Sequence, residues 1–157
     1  MRVSRPEGLF MVLGGAVALA FMACDTDNTP QLRIVSPAPG AVVSMADDMK
    51  VPFVISANDF SLKAPQDCGS EARCGVAYLN IDGEACNQPG KPYNNVLADG
   101  KLGQDFVVDA LFQYCAPTQR YGTHNVTISL RTPDGKPVIG EGAQPAAATI
   151  SFVTQMN

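Results

Sequence analysis

The stretch HNVTISLR, residues 124–131, alternates without a break. His124, Val126, Ile128 and Leu130 share one parity, and Asn125, Thr127, Ser129 and Arg131 the other. Successive side chains of a strand point to opposite faces, so this pattern predicts a half-buried strand, not an amphipathic helix. A chain built around such a segment must bury its apolar face against another sheet or layer. The same period recurs. MKVPFVISA (49–57) sets Val51, Phe53 and Ile55 on one face, and VAYLNID (76–82) does so with Ala77, Leu79 and Ile81. ATISFVT (148–154) places Ile150 and Phe152 inward, and Leu32 and Ile34 mark a short first strand before the turn residues SPAPG. FVVDALFQYC (106–115) fits two templates. Phe106, Val108, Ala110, Phe112 and Tyr114 alternate, while Val107, Ala110, Leu111 and Tyr114 also form a helical stripe. Its strand neighbours favour the strand.

Punctuation agrees with an all-β chain. Fourteen glycines and twelve prolines accompany only 17% charged residues, a balance of many turns and few charged helices. Asp82-Gly83 is a hairpin signal, because glycine accepts positive φ. TPDGKP (132–137) reads as a turn. Pro52 lacks an N–H and predicts an edge strand or a bulge. No βαβ alternation and no internal repeat is visible. The expectation is an antiparallel β-sandwich of about seven short strands, occupying residues 32–157.

The first residues follow a different logic. Arg2 and Arg5 precede Leu9 to Ala23, an uncharged run with Ala18, Ala20 and Ala23 near its end. That is the layout of a cleaved signal peptide over residues 1–23, and it is shorter than the ~20 apolar residues a bilayer span requires. A buried core helix explains neither the basic start nor the abrupt polar exit at Cys24. Ala18-Leu19-Ala20 offers an ordinary small-x-small cleavage site. Phe21-Met22-Ala23-Cys24 resembles the bacterial lipobox. Ala23 and Cys24 match, while Phe21 and Met22 depart from the preferred leucine and small residue. The resemblance implies a diacylglycerol on the Cys24 sulfur and a protein tied to the bacterial cell envelope. If the lipobox is not used, the protein is secreted. Asp25 in the next position leaves inner and outer membrane both open. Residues 24–31 comprise the anchor cysteine and a polar tether, Asp25 to Gln31. Asp25, Asp27 and Asn28 lack the glycine and distal glutamate of a calcium loop.

Cysteine parity supports that division. Of five cysteines, Cys68, Cys74, Cys86 and Cys115 remain once Cys24 is set aside, and an exported chain pairs its cysteines. Four cysteines allow three pairings, and spacing does not choose among them. Cys68–Cys74 with Cys86–Cys115 is preferred, because it ties off the polar loop CGSEARC and staples the Gly, Pro and Asn-rich segment GEACNQPGKPYNN. No CxxC is present to support redox or zinc chemistry.

The front LRIVSPAPGAVVS, the middle YLNIDG and the end YGTHNVTISLRTPDGKPV resemble the immunoglobulin-like domains of bacterial surface proteins, over about 31–154. The resemblance implies a β-sandwich that serves as a structural or protein-interaction module. Antibody-type hallmarks are missing, since the chain has no Trp and no Cys on 124–131. Some exported sandwich domains carry Gly-His-x-His before the Asp-Gly turn. The comparable place here reads Gly75-Val76-Ala77-Tyr78, so no metal role carries over.

Chemistry-bearing residues are sparse. A net charge of −4 does not invite nucleic acid, which asks for clustered Lys and Arg. His124 is the single histidine, and its inward parity favours a structural role. No GxSxG elbow supports a hydrolase, the least favoured reading. Gly140-Glu141-Gly142 lacks the Lys-Ser/Thr of a phosphate loop. Asp47-Asp48 and the group Asp99, Asp105 and Asp109 read as polar loop ends. The remaining candidate is the segment 84–104. There Tyr93 offers a stacking face, and Asn87, Asn94, Asn95 and Gln88 offer amides, a set suited to carbohydrate or another small ligand. The expectation is a non-enzymatic envelope lipoprotein without cofactor or metal. Its partners would be the membrane, through its lipid, and an envelope protein.

Overall fold

The computed structural model describes residues 28–100 and 104–157. The expected signal segment 1–23 and the expected anchor position Cys24 lie outside the described residues. The regular structure of the described residues is mostly β. Its strands are β1 (Gln31–Ser36), β2 (Val42–Met45), β3 (Lys50–Asn58), β4 (Ser61–Leu62), β5 (Cys74–Ile81), β6 (Asn95–Leu97), β7 (Asp105–Leu111), β8 (Gly122–Arg131) and β9 (Ala147–Met156). The helical pieces among the described residues are single 3₁₀ turns.

Two sheets form. The smaller has the order β1-β3-β7, and the larger β2-β9-β8-β5-β4, with β6 also paired to β5. The larger sheet curls as a half-barrel. Between Ser36 and Pro37, whose peptide bond is cis, the chain leaves the smaller sheet, and β2 then joins the larger one.

The alternation lands on the core as expected. Val51, Phe53 and Ile55 of β3 are buried, as are Ala77, Leu79 and Ile81 of β5 and Val126, Ile128 and Leu130 of β8. Phe53 meets Phe152 of β9 edge-on across the sheets at 5.5 Å. Such a ring contributes roughly 1.5–3 kcal/mol by leaving water. The ambiguous segment is a strand through Leu111. It then turns once over Phe112–Tyr114, keeping Phe112 buried while Tyr114 is half-exposed.

Four expectations are corrected. The sheets are mixed, not purely antiparallel: β2 runs parallel to β9, and β4 parallel to β5. Both are short edge strands, too brief to show a period. Second, β3 is the middle strand of its sheet, despite Pro52. The bond from the Phe112 amide to the Met49 carbonyl (2.9 Å) sets the register, so the odd positions of β3 bond to β7 and Pro52 turns its nitrogen the other way. On that side β1 reaches only Val54, so no ladder bond is lost. Third, Asp82 and Gly83 both take positive φ (50° and 71°), yet they open a long loop instead of a tight hairpin; β6 starts only at Asn95. Fourth, the folded part begins before residue 32. Pro30 is buried, and Gln31 already pairs with Asn58.

Both staples form. Cys68–Cys74 closes the loop ahead of β5, with Cα atoms 5.5 Å apart. Cys86–Cys115 ties the long loop after β5 to the end of β7, with Cα atoms 4.3 Å apart.

Candidate functional site

Within the segment 84–104, the described residues around Asn94 fold inward more than their polar composition predicts. Asn94 is fully buried. Its Nδ2 donates to the Cys86 carbonyl (2.6 Å) and the Leu111 carbonyl (2.9 Å), and its Oδ1 accepts from the Leu111 amide (2.8 Å). Every exchangeable part of that side chain is therefore spent inside the protein, and Asn94 is not available to a ligand. Asn95 behaves similarly, donating from Nδ2 to the Asp109 carbonyl (2.8 Å) and accepting from the Val96 amide (2.9 Å). Leu111 and Asp109 lie at positions of β7 that face away from β3. The two asparagines thus stand in for a neighbouring strand, satisfying backbone groups that an open edge would expose.

The other members of the predicted set remain nearer the surface. Asn87 Oδ1 accepts from Asn80 Nδ2 (2.8 Å), and Gln88 Nε2 donates to the Asn94 carbonyl (2.9 Å). Tyr93 is half-exposed and packs on Tyr78, with ring centroids 4.6 Å apart and planes tilted by 52°. The Arg131 guanidinium sits over the other part of this pair, 5.7 Å from the Tyr78 centroid. Arg131 Nε donates to Ser129 Oγ at 3.3 Å. Sequence reasoning found Tyr93 but missed Tyr78 and Arg131. The alternation of β5 and β8 already placed both on an outward face, and only the register, which sets Tyr78 opposite Ser129, brings them together.

His124 is 3% exposed. Its Nδ1 lies 2.7 Å from Asp82 Oδ2, and Phe112 packs edge-on against the ring at 4.8 Å. Asp82 Oδ1 accepts from the Asn125 amide (2.8 Å), and the Asp82 amide donates to the Asn125 carbonyl (2.8 Å). Asp82 holds the start of β8 from both backbone and side chain. His124 Nε2 is buried without a hydrogen-bond partner.

Two exposed acidic groups are held by local bonds. Glu71 accepts from Ser61 Oγ (2.5 Å) and Lys63 Nζ (2.6 Å), and those bonds hold its carboxyl below the ordinary range. Asp134, bonded to Lys136 and Thr132 in the TPDGKP turn, is lowered to about 2. Among the described residues, no three His, Cys, Asp or Glu side chains come together as a metal site. Compared with family models, curated proteins and solved structures, the chain finds no match.

Proposed function

We propose that this protein is a lipid-anchored component of a bacterial cell envelope whose β-domain serves as a structural or protein-interaction module and catalyses no reaction. The observation that carries the anchor is the cysteine account. Cys68–Cys74 and Cys86–Cys115 use up four of the five cysteines, so Cys24 stands outside both bridges, at the end of an apolar leader. Two disulfides also suit an oxidising compartment. The strand sets β1-β3-β7 and β2-β9-β8-β5 support an immunoglobulin-like reading of the domain. The first strand belongs to one sheet and the second, after Pro37, to the other. Burial of His124 against Asp82 and Phe112 argues for a core histidine over a catalytic one.

The test is the intact mass of the protein isolated from bacterial membranes, with and without reduction and alkylation. The reading requires a chain starting at Cys24 that carries acyl groups, with four alkylation sites appearing only on reduction. A soluble chain starting at Phe21, with a fifth thiol free to alkylate, would overturn the anchor. In-cell cross-linking then addresses the module. A reproducible protein partner supports it, and a domain always recovered alone counts against it.

A further inference from the structure

The curled outer face of the larger sheet forms a groove of about 350 Å³. Thr127 and Ser129 of β8 and Asn80 of β5 form its floor. Pro92 stands on one wall and Pro145 on the other. The volume falls within the ~300–1,000 Å³ usual for small-ligand sites. Its recognition groups are unlike those of a peptide site. β8 is hydrogen-bonded on both sides, to β5 and β9, so no backbone donor is free for an added strand. What faces the groove is a set of hydroxyls and the Asn80 side chain, whose Nδ2 already donates to Asn87 Oδ1 and the Pro92 carbonyl and whose Oδ1 is left to accept. A Thr or Ser hydroxyl has one donor and two acceptor sites, so the Thr127–Thr149 contact (2.9 Å) and the Arg131–Ser129 bond leave capacity over.

Arg131 sets the charge. Its guanidinium is held by the Tyr78 ring and by Ser129 Oγ, and among the described residues it forms no ion pair. A guanidinium already fixed in place, with its remaining N–H groups unspent, is ready for a planar anion. The acid that also lines the groove, Glu84, lies beyond the opposite end of β5. Arg131 pairs near Val76, and Ile81 pairs with Val126. Five strand residues, about 17 Å, separate the Val76 and Ile81 levels of β5, and Glu84 follows in the loop beyond Ile81. Tyr93 and Tyr78 add an aromatic surface beside the floor.

We propose that this groove binds a saccharide chain bearing a carboxylate, the acid on Arg131 and the ring hydroxyls on Asn80, Thr127 and Ser129. The assignment is independent of the anchor at Cys24. It replaces Asn94 and Asn95, which the fold has consumed, with the sheet face beside Tyr93.

The experiment uses the full chain, first on an array of acidic and neutral glycans and then in calorimetric titration. Trigalacturonate is the first probe, and its fully methyl-esterified form and a penta-glutamate peptide are the controls. The proposal expects signal on acidic glycans. It expects at least tenfold weaker binding after Arg131→Gln and after esterification, with an unchanged melting temperature. Thr127→Leu, which fills the floor and keeps Arg131, must also weaken binding and serves if Arg131→Gln fails to fold. No acidic glycan retained on the array would overturn the assignment. So would equal binding of the ester, a penta-glutamate affinity matching the glycan's, or full affinity in Thr127→Leu.

Discussion

Asn94 holds three backbone groups with one side chain, and it does so where water is excluded. Removing it leaves the Leu111 amide and carbonyl and the Cys86 carbonyl without their partner. Each stranded group costs about 1–3 kcal/mol. Asn94→Ala is therefore expected to lower unfolding free energy by about 3 kcal/mol, read as the shift of a urea midpoint with unchanged slope. Asn87→Ala, which loses one bond to Asn80 near the surface, is expected to cost under ~1 kcal/mol. The Asp82–His124 pair makes a second graded test. His124→Ala removes a buried ring from Phe112 and leaves a cavity, at a cost of about 2–4 kcal/mol. Asp82→Asn keeps an acceptor for the Asn125 amide and is expected to cost about 1 kcal/mol. Equal losses in the two variants would show that the charge, and not the packing, holds the turn.

At the scale of elements, β5 is the most constrained strand. Its first four residues are all buried, so the expected alternation is lost there. β4 and the loop closed by Cys68–Cys74 lie over its start, and Phe60 and Leu62 are buried with it. Gly75 permits that crowding. A Cβ at this position would collide with the Arg131 carbonyl oxygen and press on the Phe60 ring at 3.2 Å. Gly75→Ala is expected to destabilise the domain by about 1–3 kcal/mol or more, as overpacking against backbone does. Calorimetric melting checks it. The same substitution at Gly83, where no atom lies within 4 Å, tests only the positive φ and is expected to cost less. β7 shows how an edge is managed. Asn94 and Asn95 cover its outward backbone groups at Leu111 and Asp109, while Val107 stays exposed between Phe106 and Val108.

For the whole molecule, the two sheets are joined by the Phe53, Phe112 and Phe152 cluster and by one covalent tie, Cys86–Cys115. That bridge closes the larger loop, with a sequence separation of 29. Loop-closure entropy gives it about 3–4 kcal/mol, against about 2 kcal/mol for Cys68–Cys74. The double variant Cys86→Ala/Cys115→Ala is expected to melt well below Cys68→Ala/Cys74→Ala, and a reversed order would place the weight on β5 and its covering loop. Much of this architecture was legible beforehand. Period-two alternation named the inward residues of β3, β5, β8 and β9, because side-chain parity is a local property of an extended backbone. Turn chemistry located Asp82-Gly83 and TPDGKP for the same reason: allowed φ is set residue by residue. The pairing of strands, the parallel edges at β2 and β4, and the central place of β3 depend on which segments meet in space, and no short window encodes that. So does the fate of polar side chains. Asn94 and Tyr93 are near neighbours in one polar loop, yet burial spends the first on backbone groups and register sets the second beside Tyr78 and Arg131. Local pattern by itself determined the period-two strands and the turn residues between them. Only the tertiary structure decided which polar groups stay in water, because desolvation is a property of the packed whole.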